Sequence, residues 1–429
     1  MGSWTNLQMI KNPGLQDPLF LDPTALEEEL TRVFEHCHDC RRCLPLCPSF
    51  PSLFEAIDKH EQNAAELTGH ETREVVDLCY QCKLCYNHCP YHPPHEWEID
   101  FPKLMNRAKL VYAEKEGIPL ADKVGMRQDM LGRVSCLTSA MTNKGFRNRA
   151  VRTLMEKGTG IDRRWLMPTY EKKPFSISHQ NHLHGSTENG RVLLFTTCFV
   201  EYAEAQTARA AVSVLEHNEV AVETAYDRCC GAPFLHGGDL KNATKNAAKV
   251  VEALAPKVKE GLPIVVPGPT CSLQLKQEYP ELLGTEDAKL VSENTYDVGE
   301  FLYQLGRDKK LKRDFPVSLG KVAYHLPCHL KSQNIGFRSR QLLKLAGATE
   351  IEMLDNCSGV DGTWGMKARW YDQSMKIADK LLEGVKESEP DFVATDCPLS
   401  ALRIKEGTGY TAVHPIVLIQ RAYGLRESS

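Results

Sequence analysis

CHDCRRCLPLCP, from Cys37 to Pro48, returns as CYQCKLCYNHCP, from Cys79 to Pro90. Each run spaces four cysteines as C-x-x-C-x-x-C-x-x-x-C and ends in proline. The first three thiolates of such a run can grip three corners of one four-iron, four-sulfur cube, while the fourth characteristically ligates the other cluster. Proline then turns the chain away without offering a backbone donor. The spacing predicts two 4Fe-4S clusters, one held by Cys37, Cys40, Cys43 and Cys89, the other by Cys79, Cys82, Cys85 and Cys47. Structural zinc asks instead for two Cys pairs with a longer gap between them. Disulfides ask for an oxidising compartment, and the polar start after Met1 shows no basic patch, apolar run and small-residue cleavage site. A cytoplasmic protein is expected.

The chain has 429 residues, of which 42% are hydrophobic, enough for two to four domains with real cores. No apolar stretch approaches the roughly 20 residues that span a bilayer. A net charge of -4 argues against nucleic acid as a principal partner. Charge is uneven, however. Between Arg127 and Lys173 eleven Lys or Arg stand against four acids, Arg147, Arg149, Arg152, Arg163 and Arg164 among them. This stretch reads as a solvated basic connector, with a docking face for anionic lipid or an acidic partner as the alternative.

Asp22 as N-cap, Pro23 at the first helical position and Glu27, Glu28 and Glu29 near the positive end announce a helix. Its apolar face, Leu26, Leu30 and Val33 or Phe34, delivers the chain to Cys37. Leu53 to Ile57 and Glu71 to Leu78 read as further helices, and strand signals are weak. Residues 1–125 are expected to form an all-helical two-cluster ferredoxin domain, followed by a basic connector over 126–189.

Beyond the connector, GRVLLFTTC (Gly190 to Cys198) and GKVAYHLPC (Gly320 to Cys328) are short apolar strands ending in cysteine, about 130 residues apart. Cys229 with Cys357, and Cys271 with Cys397, repeat at nearly the same interval, so the second half is an internal repeat over 190–315 and 316–429. In the first copy Glu201 to His217 and Lys241 to Lys259 read as helices and LPIVVPGPTC as a buried strand ending at Cys271. In the second, Arg340 to Leu345 and Met366 to Val385 are the helices and DFVATDCP the strand. Strands alternating with helices predict parallel α/β layers, whose ligands sit beyond the carboxyl ends of the strands. The fold class is α+β multidomain.

DRCCGAPFLHGGD, with Cys229, Cys230 and Gly231, resembles the cysteine-rich CCG domain of the heterodisulfide reductase B subunit. That domain also occurs in the C subunit of anaerobic glycerol-3-phosphate dehydrogenase and the iron-sulfur subunit of glycolate oxidase. The resemblance to the dehydrogenase C subunit covers nearly the whole chain, in the order of two ferredoxin runs followed by two CCG repeats. It includes RTLMEKGTGIDRRWLMPTYEKKPF, YHLPCHLK and VHPIVLI. It implies iron-sulfur ligation by Cys198, Cys229, Cys230 and Cys271 in the first repeat, with Cys229 and Cys230 as the candidates for any catalytic role. The pattern is incomplete: Gly268 stands where a C-x-x-C would begin. The second repeat keeps only Cys328, Cys357 and Cys397, because Ser358 and Ser400 replace two cysteines. His325, His329 or a substrate atom is then the candidate to complete an iron site.

Cys136 receives no role, since free Cys is often simply buried. His182, His184 and His236 read as loop or surface residues, and Tyr202, Trp364 and Trp370 as core or pocket walls. No Rossmann fingerprint and no Walker A run is present, so no NAD or ATP site is expected. The resemblance implies an oxidoreductase component, an electron-transfer subunit relaying electrons from a flavoprotein dehydrogenase to an acceptor such as quinone; the basic connector adds a peripheral place on the inner face of the membrane as an expectation. A thiol-disulfide reductase centred on the CCG repeats and a redox sensor are the alternative readings.

Overall fold

A computed structural model describes residues 13–178 and 186–426, so His182 and His184 lie outside the described residues. The chain forms two compact units. One takes the residues up to Leu120 together with Pro233–Ala243, the other Ala121–Ala232 and everything from Thr244 onward.

The first unit is built on α1 (Pro23–Cys40), α2 (Ser49–Lys59), α3 (Gly69–Leu78), α4 (Leu84–His88) and α5 (Phe101–Glu116). Asp22 caps α1 as expected, its carboxylate accepting the Ala25 N–H at 2.8 Å. The helix runs one turn further than its apolar face suggested and ends at Arg41 in the left-handed region, so Cys37 and Cys40 share its last turn. Thr68 and Glu71 close a reciprocal cap on α3. Leu26, Leu30, Phe34, Phe50, Leu53, Val76 and Leu104 fill one core among these helices. The sequence placed only the centre of α2, whose ends the packing of Phe50 and Phe54 extends.

In the second unit α6 (Leu120–Gly125), α7 (Gln128–Leu137), α8 (Ser139–Arg147) and α9 (Arg149–Thr159) lead to two sheets. The first contains β1 (Arg191–Phe195), β2 (Ala221–Ala225), β3 (Ile264–Val266) and β4 (Thr295–Asp297) in the order β2-β1-β3-β4. The second contains β5 (Gly320–His325), β6 (Ala348–Leu354), β7 (Phe392–Thr395) and β8 (Ala412–Val413) in the same order, β6-β5-β7-β8. Every pairing is parallel, with Arg191 opposite Ala221, Leu193 opposite Ile264, and Val322 opposite both Ile351 and Phe392. One apolar core serves both sheets: Val192, Leu194 and Val265 from the first join Val322, Tyr324 and Ala394 from the second.

Several expected elements differ, and the strands expected to end at Cys198, Cys328 and Cys397 stop at Phe195, His325 and Thr395. The helix expected over Glu201 to His217 is two helices, Cys198–Tyr202 and Ala205–His217. The Tyr202 carbonyl accepts the Glu171 N–H at 2.9 Å from the connector and so leaves the helical ladder. The strand expected to reach Cys271 stops at Val266, because Pro269 starts a helix, Pro269–Leu273, that carries the cysteine. The helix expected from Met366 begins only at Tyr371, since Lys367 bridges to Ile161 and the Ala368 N–H bonds to the Gly160 carbonyl at 2.9 Å.

The connector is more than a solvated strap. Arg152 is buried and donates to the carbonyls of Asp162 (2.7 Å) and Trp165 (2.9 Å), while Arg164 pairs with Asp162 and Asp372 at 2.8 Å each. The Arg403 guanidinium lies over the Trp165 ring. Replacing Arg152 with Ala takes a donor from both carbonyls; the Asp162 carbonyl keeps the Trp165 N–H at 3.1 Å, while a Trp165 carbonyl that stays dry costs roughly 1–3 kcal/mol. Arg152→Ala should therefore lower the urea midpoint and make the fluorescence of Trp165 accessible to quencher. An unchanged midpoint would show that this anchor carries no stability.

Candidate iron-sulfur sites

Cys37 and Cys40 come from the end of α1, Cys43 from the turn that follows and Cys89 from the end of α4, and together they line one open pocket. Burial pushes the Cys37 thiol well up, and the neighbouring thiols of Cys43, Cys89 and Cys40 push it in the same direction. A second group gathers round Cys85, whose thiol burial raises well above its ordinary value, followed by the effects of Cys82, Cys79 and Cys47. Cys89 thus sits with the first run and Cys47 with the second. Cys43 also acts on Cys85, so the groups are neighbours.

Donors are aimed at these sulfurs. The Gln81 side-chain amide, buried and braced on the Pro102 carbonyl at 3.1 Å, donates to Cys79 Sγ at 3.5 Å, and the Tyr91 N–H donates to Cys89 Sγ at 3.4 Å. Hydrogen bonds to sulfur are a principal means of tuning a cluster's potential.

Among the described residues no three His, Cys, Asp or Glu side chains close on a single metal-ion position. Zinc thiolates, with Zn–S near 2.3 Å, crowd to roughly 4 Å of one another. A cubane presents four separate corners, so its ligands surround a volume rather than a point. Four thiols facing a cavity with Phe50, Tyr91 and Ile99 in its walls fit that demand.

In the second unit each cysteine motif follows a strand end. Cys198 follows β1, Cys229 and Cys230 follow β2, and Cys271 follows β3. Their thiols are successive neighbours, Cys198 acting on Cys229, Cys229 on Cys230 and Cys230 on Cys271. Its contact with Cys229, then burial, raises Cys198; for Cys229 the bond with Cys198 lowers the thiol, but Cys230 and burial outweigh it. The Tyr279 hydroxyl and the Asn246 amide steady the loop by donating to the carbonyls of Cys230 (2.9 Å) and Cys229 (3.2 Å). Tyr279 follows a π turn, Gln274–Glu278, just beyond Cys271.

The second repeat has the same layout with fewer thiols. Burial, then Cys357 and Cys397, raises Cys328, so these three lie together. Ser358 and Ser400, the residues that stand for cysteines, hydrogen-bond to each other at 2.9 Å in a buried position. Gly359 has φ +67°, and a Cβ there would meet the Ser374 carbonyl at 2.1 Å. Its counterpart Gly231 has φ +92°. His325 is held by Thr395 at 2.9 Å, and burial, then Lys331, pushes it down to about 3, so it is neutral. His329 is held by Thr270 at 2.8 Å.

Cys136 is buried, donates to the Tyr202 carbonyl at 3.4 Å and is pushed up to about 11 by burial, in keeping with a structural thiol. His236 is half-buried in the short helix Ala232–His236. Tyr202 is buried, and Trp364 stacks on Trp370 with centroids 5.6 Å apart. Sequence reasoning missed Asp129, which accepts the Cys229 N–H at 2.8 Å, and Glu204, whose carboxyl burial pushes up to about 7 and which acts on Cys397. Asp129 is a hundred residues from its partner and carries no local signal.

Residues 192–276 and 322–405 match the CCG cysteine-rich domain, and residues 30–114 match the Fer4-like domain of citrate utilization protein B. The chain is an iron-sulfur oxidoreductase component with a Fer4-like domain followed by two CCG cysteine-rich domains. It is homologous to the C subunit of anaerobic glycerol-3-phosphate dehydrogenase from Escherichia coli, at 29% identity over 298 residues, 68% of this chain and 75% of that one. It is also similar to the B subunit of the CoM/CoB fumarate reductase of Methanothermobacter marburgensis (30% over 254 residues, 56% of this chain and 48% of the other). Lactate utilization protein A of Bacillus pumilus aligns at 27% over 219 residues, 48% and 87% of the two chains. These relatives support electron transfer and a partner subunit.

The raised thiols have a pH consequence for the metal-free protein. Burial, then Cys89 and Cys40, pushes Cys43 up to about 12. At pH 8 its thiolate fraction is roughly 10⁻⁴, against about a quarter for an ordinary thiol near 8.5, so alkylation should be about a thousandfold slower. An unfolded chain ionises its thiols near 8.5 while the folded one keeps them protonated. Stability therefore falls as pH rises from about 8.5 toward 12. Urea midpoints of metal-free protein that stay flat between pH 8 and 10 would contradict this environment.

Proposed function

We propose that the chain is the electron-transfer subunit of a flavoprotein dehydrogenase and delivers electrons to a quinone. The observation that carries this reading is the pair of interleaved four-thiol groups, neighbours through Cys43, inside one small helical unit. In it Cys37, Cys40, Cys43 and Cys89 hold one 4Fe-4S cluster, and Cys79, Cys82, Cys85 and Cys47 the other. Cys198, Cys229, Cys230 and Cys271 hold a further iron-sulfur cluster, and Cys328, Cys357 and Cys397 form a poorer site. Bound there, the clusters supply one-electron steps. The chain's own residues hold sulfurs apart, donate N–H groups to them and keep water from the apolar walls. The domain limits that go with this reading are 1–125 for the ferredoxin part, 126–189 for the connector, and 190–315 and 316–429 for the repeats.

Docking at the inner membrane face, where a quinone resides, is supported by the connector. Met130, Val134, Leu137, Met141 and Leu154 are exposed, Leu137 at 87%, among Arg127, Lys144 and Arg147. Exposed apolar side chains interleaved with cations suit an anionic lipid surface. A second reading, thiol-disulfide reductase, is favoured by the neighbouring thiols of half-buried Cys198 and buried Cys229, Cys230 and Cys271 in the first repeat.

Cluster pairing can be tested in anaerobically purified protein, which should carry about eight irons, or about twelve with the first-repeat cluster. Cys47→Ser should perturb the same paramagnetic signal as Cys82→Ser, and Cys89→Ser the same one as Cys40→Ser. If each substitution disturbs only the cluster of its own run, the interleaving is wrong. Abundant zinc with almost no acid-labile sulfide would end the cluster reading itself.

The acceptor is a separate question. Reduced protein should be reoxidised fast by a water-soluble quinone and slowly by small disulfides, and it should not oxidise NADH unless a flavoprotein is added. Rapid catalytic disulfide turnover, abolished by Cys229→Ala, would move the activity into the first CCG repeat.

A further inference from the structure

Helix α7 presents two separate faces. At about 100° per residue, Asp129, Gly132, Arg133 and Cys136 fall on one of them, and Met130, Val134 and Leu137 on the other, which is exposed. The first face lies against the first CCG site. Asp129 Oδ2 accepts the Cys229 backbone N–H at 2.8 Å, and its Oδ1 accepts the Tyr226 hydroxyl. Gly132 allows the approach, since a Cβ there would sit 2.1 Å from the Tyr202 ring. Arg133 donates to the Tyr202 hydroxyl at 3.3 Å and to the Asp227 carbonyl at 3.4 Å, and Cys136 donates to the Tyr202 carbonyl.

Every member of this face therefore reaches one of two places. One is Tyr202, which ends the short helix that opens with Cys198; the other is the loop from Tyr226 to Cys229. Tyr202 and Tyr226 meet edge to face at 5.8 Å, so the two places are joined. The charge of Asp129 acts on Cys198, Cys229 and Cys271 alike. Yet α7 lies outside both stretches that match the CCG domain, residues 192–276 and 322–405.

We propose that Asp129 is a positioning residue for the first CCG site: it fixes the Cys-Cys-Gly loop by holding the Cys229 N–H and the Tyr226 hydroxyl together, and its negative charge keeps the potential of that site low. The inference rests on reading Cys198, Cys229, Cys230 and Cys271 as iron-sulfur ligands. Net charge and hydrogen bonding around the sulfurs are what set such potentials. A carboxylate bound to a backbone N–H also makes a stronger hydrogen bond than a neutral acceptor does.

Three variants of the full chain test this. Asp129→Asn keeps an oxygen for the Cys229 N–H and removes the charge. It should retain the iron and the paramagnetic signal of the first CCG site while its midpoint potential moves upward and the cubane signals stay in place. Asp129→Ala removes the acceptor. In metal-free protein the amides of residues 227–230 should then exchange about tenfold faster or more. If that variant does not fold, Tyr226→Phe, which cuts one of the two bonds, should raise the same exchange by a smaller factor. Unchanged exchange in the variants that fold, or an unchanged potential in Asp129→Asn, overturns the proposal. Should a Cys229→Ser, Cys230→Ser double variant keep its full iron, the ligand reading fails instead, and exchange in the metal-free chain still decides whether Asp129 holds the loop.

Discussion

Parallel pairing of β1 with β2 on one side and β3 on the other is the constraint on which the second unit depends. Strands that run the same way bring all their carboxyl ends to one edge of the sheet. Three segments far apart in the chain, at Cys198, at Cys229 and Cys230, and at Cys271, are delivered to that edge without any contact between them being needed beforehand. The same order in the second sheet delivers Cys328, Cys357 and Cys397. Burial of the strands on both faces then fixes the sheet and with it the positions of the thiols. Buried thiols stay protonated, and ligation has to displace those protons.

That division explains what was legible in the sequence. β1, β3, β5 and β7 were each recognised as apolar runs, and each is a central strand covered on both faces. β2, β4, β6 and β8 gave no reading, and each is an edge. β6 exposes Glu350 and Glu352, β2 carries Glu223, and β4 and β8 have only three and two residues. Edge strands with charge or little length avoid pairing with other chains, and the same features erase the hydrophobic pattern. The cysteine runs were legible for the opposite reason, because ligand spacing is dictated by local reach. Cys89 beside the first run and Cys47 beside the second could be inferred from that spacing alone. The break at Ala203 and the contact of Asp129 with Cys229 could not, since each is made by a residue of the connector that no local pattern ties to its partner.

The two repeats show how far chemistry and fold can part. Sheet order and the positive-φ glycine after the second motif position are the same in both, at Gly231 and Gly359. The thiol inventory is not. Ser358 and Ser400 satisfy one another at 2.9 Å, so replacing two sulfurs leaves no unpaired buried hydroxyl behind. A compensated loss of this kind costs the fold little, because neither residue belongs to the apolar core that unites the sheets. The second repeat then presents hydroxyl oxygen where sulfur would stand, and oxygen is the harder donor. The first repeat brings four thiols together, and the second three. The same parallel scaffold thus carries two different thiol sets, and the pair of serines closes the polar gap in the second.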